Sequence, residues 1–201
     1  MNDPLEYYTK QLETYRLEEQ KRGKHIILLS TLRVLVFITV GFAIYMLFDY
    51  WQLAALVGLT GVILFTYLLS KYSYVKKERA FYKELIKINE EEIRILSGSF
   101  YHRNKGIEFQ DDNHFYSADI DLFGHGSFFQ YINRTTISEG SMKLAEALKV
   151  NDISNIKLRQ EAIKELSSKP QWRQHYAGTS SLVSVETSAQ NIISWLLKHK
   201  S

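Results

Sequence analysis

Between Thr31 and Ser70 the chain carries only two charged residues, Arg33 and Asp49. No other feature restricts the fold so severely. Within and around that stretch lie two apolar runs, Ile26–Phe48 (IILLSTLRVLVFITVGFAIYMLF) and Leu53–Leu69 (LAALVGLTGVILFTYLL), of 23 and 17 residues. A hydrocarbon layer about 30 Å thick is crossed by roughly 20 apolar helical residues, with a working range near 17–25, so each run is long enough to span it. The competing assignment is a helical pair at the centre of a soluble core, but the rest of the chain is too polar to wrap two helices that are oily on every face. Only Asp49, Tyr50, Trp51 and Gln52 separate the runs. The connection forces an antiparallel hairpin whose tip holds two interface-seeking aromatics.

Arg33 is the costly residue of the hairpin, since a central arginine raises the free energy of insertion by about 2.5–3.5 kcal/mol on translocon scales. It stands seven residues after the run begins, near enough to the edge for its stem to lift the guanidinium toward headgroups. Lys21, Arg22 and Lys24 precede the hairpin, Lys71, Lys76, Lys77 and Arg79 follow it, and the tip has no basic residue. Positive charge is retained on the inner side, so both termini are expected in the cytoplasm, with the bilayer itself as a partner. A cleaved leader fits poorly, because 25 highly charged residues come first and the run is too long for a signal core.

Outside the hairpin the residues read as helices. Residues 1–25 set Leu5, Tyr8, Leu12 and Tyr15 at helical spacing behind Asp3 as N-cap and Pro4 in the first turn, predicting a cytoplasmic amphipathic helix. Residues 71–97 place Phe81, Leu85, Ile88 and Ile95 on one stripe, so the second apolar helix is expected to continue beyond the membrane. The two flanking helices are suited either to pairing as a stalk or to forming a homodimer.

Residues 98–201 form a separate module. Ser97-Gly98-Ser99 ends the long helix, and Phe100–Phe129, rich in Gly, Asp, Asn and aromatics, reads as loop with short strands. Helices are expected from Ser138 to about Val150, from Ile153 to Ser167 behind an Asn151-Asp152 cap, from Pro170 through Tyr176, and from Ser180 or Ser181 to His199. In the second of these Ile153, Ile156, Ile163 and Leu166 mark the inward stripe, while Arg159, Glu161 and Lys164 face water. The fold class is thus mainly α: a two-helix transmembrane hairpin over residues 26–70 with long juxtamembrane helices, a loop and short-strand segment, and a small helical cytoplasmic domain.

Chemistry is sparse. With no cysteine, thiolate zinc sites, iron–sulfur clusters, disulfides and cysteine nucleophiles are excluded. His114, Asp119, Asp121, His125 and Ser127 lie within fourteen residues and offer either a divalent-metal site or a Ser-His-Asp triad. Neither an HExxH pair nor a GxSxG elbow supports them, and the same residues serve equally well as turn-forming side chains. There is no GxxxxGK[ST] or GxGxxG phosphate loop, and Gly58-Leu-Thr-Gly61 lies inside an apolar run. No catalytic, cofactor or metal residue is therefore assigned. The formal charge of +3 lies wholly in residues 71–201, where nineteen Lys/Arg face sixteen Asp/Glu, too slight an excess to announce a nucleic-acid binder.

One resemblance stands out. YSADIDLFG (116–124), SFFQYINRTTISEG (127–140) and KLAEAL (143–148) resemble the opening of the helical core, or lever, domain of the MutS mismatch-repair family, and IKLRQEAIKEL (156–166) with Gln171-Trp-Arg-Gln174 resembles its next helix. The branch most similar is a bacterial one with two N-terminal membrane helices. The residues carrying the resemblance are Asp119, Asp121, Leu122, Phe123, Gly124, Asn133, Arg134, Thr135, Gly140, Arg159, Trp172 and Arg173, whose roles read as structural. Asp121–Gly124 is expected to turn the chain and insert Leu122 and Phe123 into the core, with Gly124 at positive φ, and Asn133–Thr136 to feed the helix near Ser138.

The resemblance implies a protein of the bacterial cytoplasmic membrane whose full-length relatives bind mismatched or structured DNA and hydrolyse ATP with magnesium. On this resemblance the chain is expected to stop inside the lever, short of the ATPase and without the mismatch-reading wedge, so no cofactor is expected for it. Three readings follow: the anchor and lever of a MutS-like ATPase, a stand-alone membrane scaffold binding a protein partner through its helical stripes, and a small hydrolase using the His/Asp loop.

Overall fold

The computed structural model describes residues 3–111, 113–150 and 153–183, with Trp195, Leu197 and Lys198. Its regular elements are all helical, and no strand forms among the described residues. The chain divides into two compact units, Met1–Gly98 and Ser99–Ser201.

The first unit consists of α1 (Pro4–Met46) and α2 (Trp51–Leu96). Asp3 caps α1, its carboxylate accepting the Leu5 N–H at 3.1 Å, and Pro4 occupies the first turn, where its missing N–H costs nothing. The expected amphipathic helix and first apolar run are one uninterrupted helix. Gly23 lies inside it, buried, beside the Arg79 guanidinium of α2. In the apolar stretches Thr31, Thr60 and Thr66 return their hydroxyls to carbonyls four residues back, at 3.1, 2.8 and 2.9 Å, so that these three hydroxyls have acceptors within their own helix.

α2 runs back along α1. Arg16 meets Glu90, Glu19 meets Arg79, Arg33 meets Tyr72, Val40 meets Gly61 and Ile44 meets Gly58, so the facing partners advance toward the tip in step. The flanking helices pair within the one chain. Their seam buries Leu12 and Tyr15 against Leu85, Asn89 and Ile95. Leu5, expected in the same stripe, is exposed, and Phe81 and Ile88 are half-buried. Asn89, fully buried, donates its amide to the Leu85 carbonyl at 2.7 Å.

Both helices are long and apolar enough to cross a membrane. None of the most apolar window of α1 is buried, and only 11% of that of α2. A pair at the centre of a soluble core would be mostly covered. Here Phe37, Phe42, Leu56, Leu59 and Ile63 all face outward.

The second unit opens with turns where short strands were expected. Asn104 accepts the Gly106 N–H at 2.7 Å, a 3-10 turn follows at Ile107–Phe109, and the chain bends repeatedly through Asp121. Side-chain acceptors of this kind satisfy backbone donors locally and remove the need for a ladder. Then come α3 (Phe128–Ile132), α4 (Ser138–Lys149), α5 (Ile156–Ser167) and α6 (Pro170–Ser181). Leu122, Phe123, Phe129 and Ala145 form the core, with Phe109, Tyr116, Leu144 and Leu148 packed around it.

α5 departs from expectation. It begins at Ile156, not Ile153, and buries no residue. Ile153 and Ile163, read as inward, are 71% and 68% exposed, and Ile156 and Leu166 are exposed as well. The stripe exists but, among the described residues, α6 is the element that α5 meets, and it leaves the stripe uncovered. α6 extends past Tyr176 to Ser181. The Asn151-Asp152 cap and most of the helix expected to reach His199 lie outside the described residues.

Candidate functional site

The twelve residues that carry the family resemblance fall into three places. Leu122 and Phe123 enter the core, and Gly124 follows at φ 108°, its N–H donating to the Lys105 carbonyl at 2.8 Å. Asp121 takes φ 47°, a left-handed value that aspartate tolerates better than most residues, and this pair of turns swings Leu122 inward. Asp119 and Asp121 themselves are exposed.

Asn133, Arg134, Thr135 and Gly140 meet at the entrance to α4. The Asn133 side-chain oxygen, almost fully buried, accepts from the Thr135 N–H at 2.9 Å and from its hydroxyl at 2.6 Å. Thr135 Oγ1 lies 2.5 Å from Ser141 Oγ, and its Cβ would stand 3.2 Å from a Cβ at Gly140, so glycine is what lets the turn close onto the helix. Arg134 donates to the Tyr131 carbonyl at 2.5 Å and to that of Asn133 at 3.3 Å, and Arg103 reaches the same Asn133 carbonyl. These guanidiniums satisfy carbonyls at the end of α3 that no helix can serve. Arg159, Trp172 and Arg173 are not brought to this turn; they sit on α5 and α6, all exposed, with Trp172 stacked on Tyr176 at 5.5 Å. α6 is tied to the turn by Ser180 Oγ, 2.6 Å from Thr136 Oγ1.

The His/Asp loop does not converge. His114 Nδ1 accepts from the N–H groups of Tyr116 (3.4 Å) and Ser117 (3.2 Å), which leaves the proton on Nε2, aimed at the Lys149 carbonyl 3.0 Å away. Both nitrogens are thus engaged in joining the loop to the end of α4. His125 stacks on Tyr101 at 5.1 Å, and the buried Ser127 hydroxyl caps α3, accepting the Gln130 N–H at 3.1 Å. No group of three or more His, Asp or Glu is gathered to hold a metal ion among the described residues. The triad and metal readings lose their geometry, because His114 is spent on a turn and Ser127 on a cap, His125 stacks on Tyr101, and Asp119 and Asp121 stay exposed.

Two residues missed in the sequence hold this unit together. Gly106, at φ 64°, lies so close to the core that a Cβ would be 2.6 Å from Phe129 Cδ1 and 3.0 Å from Phe123 Cδ1. Gln130, fully buried, accepts the Gly126 N–H at 2.7 Å and donates to the carbonyls of Tyr101 (2.9 Å) and Arg103 (2.7 Å), so its amide is fully used. The signals were present: Asn104-Lys-Gly106 is an Asx turn with glycine at the left-handed position, and Ser127-x-x-Gln130 is a capping-box spacing. No family model, curated protein or solved structure matches the chain.

Proposed function

We propose that this chain is a membrane anchor joined to a MutS-like lever module. The observation that carries the anchor is the outward apolar surface of α1 and α2 beside a tip of four residues. Trp51 and Tyr72 bound the apolar half of α2, and roughly 21 helical rises of 1.5 Å separate them, about 31 Å, matching the hydrocarbon layer. Tyr45, Tyr50 and Trp51 then form one exposed aromatic belt, and the exposed Tyr67 and Tyr74 with the half-buried Tyr72 the other. On this placement Arg33 is not deep in lipid. It faces Tyr72, with its guanidinium carbon 4.2 Å from the ring centroid, and so stands at the boundary of the layer. With the basic residues gathered beyond Tyr72 and none in the tip, both termini face the cytoplasm of a bacterial cell.

The lever reading is supported by how the second unit uses the matched residues: the DLFG segment supplies two of its core side chains, and the Asn133–Thr135 turn launches α4. The uncovered apolar stripe of α5 and the exposed aromatic pair Trp172–Tyr176 of α6 fit a module whose helices pack against further helical structure, in the family it resembles one that binds DNA and hydrolyses ATP. Membrane fractions washed with alkaline carbonate test the anchor, which predicts retention in the pellet. Reading the coding sequence beyond Ser201 tests the lever: a phosphate-binding GxxxxGK[ST] loop is expected, and its absence removes the ATPase reading. The same exposed faces favour a second reading, a scaffold that holds a protein partner at the membrane.

A further inference from the structure

The helix pair sorts its basic residues by level. Farther from the tip, Arg16, Arg22 and Arg79 are matched to Glu90, Glu18, Glu78 and Glu19 across or along the stalk. Nearer the apolar half the acids stop: none occurs between Glu19 and Asp49 on α1, or between Asp49 and Glu78 on α2. Yet cations continue through this acid-free zone: Lys21 and Arg22 turn back to Glu18, Lys24 follows them, and nearer the apolar half come Arg33 and three lysines, Lys71, Lys76 and Lys77. The three lysines are exposed and make no ion pair among the described residues. Arg33 is half-buried with its Nε shut off from solvent and without a hydrogen-bond partner, its one recorded interaction being the Tyr72 ring. The Nε is closed to any outside ligand, but the terminal guanidinium nitrogens have no acceptor among the described residues, and at the edge of an apolar layer they are satisfied by what the surroundings supply, water or a headgroup phosphate.

The geometry fixes the depth of these groups. Arg33 and Lys71 lie at the Tyr72 level, and Lys76 and Lys77 stand four and five residues farther out, about 6–8 Å along the axis. The headgroup layer of one leaflet is about 5–8 Å thick. All four cations therefore fall within the shell that lipid phosphates occupy. Lys76 also follows Tyr72 by one helical turn, on the side of α2 where Arg33 stacks.

We propose that Arg33, Lys71, Lys76 and Lys77 form a collar that binds the phosphate of anionic phospholipid headgroups in the leaflet on the side of the termini. The inference rests on the membrane reading above. It goes beyond it by giving the anchor a lipid preference and giving Arg33 a ligand.

The test uses the full chain reconstituted in phosphatidylcholine vesicles with and without about one third phosphatidylglycerol, followed by extraction into mild detergent and measurement of co-purifying lipid. Each lysine near an anionic surface is worth about a fivefold gain in partition, so the ratio of phosphatidylglycerol to phosphatidylcholine in the co-purifying lipid is expected at least fivefold above that of the vesicle. Lys71→Gln/Lys76→Gln/Lys77→Gln is expected to remain carbonate-resistant and to lose most of that enrichment, and Arg33→Gln to lose part of it. Equal enrichment in wild type and triple variant, or none in wild type, would overturn the collar and leave the anchor standing. Release of the wild type by carbonate would overturn the anchor and the collar together. Displacement of the lipid by millimolar inorganic phosphate would mark a general phosphate site and overturn the assignment to lipid.

Discussion

The side chains that hold the second unit together are those whose removal leaves a backbone group stranded or whose enlargement strikes a ring. Gly106 combines both kinds of constraint, a left-handed φ and an approach to Phe129 that no Cβ tolerates. Gly106→Ala is therefore expected to cost about 2–4 kcal/mol, the sum of left-handed strain and core displacement. Gly126, at φ 76° with its nearest neighbour at an ordinary 3.6 Å, isolates the first contribution, and Gly126→Ala should cost about 1–2 kcal/mol. Thermal unfolding of both variants in the same detergent checks the difference. Tyr15 supplies a titration. Burial first, and then Tyr7 and Tyr82 nearby, push its hydroxyl from the ordinary 10 up to about 12. A group whose folded value is raised stabilises the fold fully below pH 10 and loses that contribution as pH climbs toward 12. The stalk should loosen over that interval in a spectrophotometric alkaline titration, and Tyr15→Phe should flatten the loss. At this scale the sequence was partly legible: Leu122, Phe123 and Gly124 could be placed, whereas Gly106 and Gln130 could not be ranked above other loop residues, because their importance comes from rings and carbonyls brought close only by folding.

Helices meet in this protein by two different devices. In the stalk, aromatic and aliphatic side chains interlock with ion pairs at the rim, and Arg16–Glu90, with both side chains well exposed, is worth no more than about 1 kcal/mol. In the apolar half small residues set the distance, since a Cβ at Gly61 would lie 2.7 Å from both methyls of Val40. Gly61→Leu should therefore lower the thermal midpoint, by overpacking worth about 1–3 kcal/mol, and adding Val40→Ala should recover part of the loss. α5 presents the opposite case. Its apolar stripe covers nothing, so Ile163→Asp should change the stability of this chain by less than about 0.5 kcal/mol, while Leu122→Ala should cost about 2–5 kcal/mol. The contrast explains which elements could be read in advance. Run length, the four-residue tip and the Asp3-Pro4 start specify α1 and α2 locally. Periodicity told which face of α5 is apolar, but which face is covered depends on neighbours that a period does not name. The strands expected before Phe129 failed for a related reason: the aromatic residues that favour a sheet are here gathered by Asx turns and left-handed glycines into a cluster.

For the whole molecule, charge and greasiness are separated along one chain, and that separation makes the placement testable. The net +3 is small and mixed in sign, so binding to duplex DNA by these residues alone should be weaker than micromolar at physiological salt, with few counterions released; submicromolar binding would contradict it. Topology admits a sharper measurement, because the absence of native cysteine leaves any introduced thiol as the single point of labelling. Asp49→Cys reports the tip, Ser99→Cys reports the start of the second unit, and Thr9→Cys reports α1 near its cap, all three at exposed positions. If the basic residues beyond Tyr72 hold the termini on the inner side, a membrane-impermeant maleimide added to spheroplasts should label Asp49→Cys at once and the other two only after lysis. The driving asymmetry is seven Lys/Arg flanking the hairpin within a few residues of its ends against none in the tip, which the membrane potential and anionic lipid both act on in the same direction. Labelling of Thr9→Cys from outside would reverse the orientation, and labelling of all three without lysis would remove the hairpin from the membrane altogether.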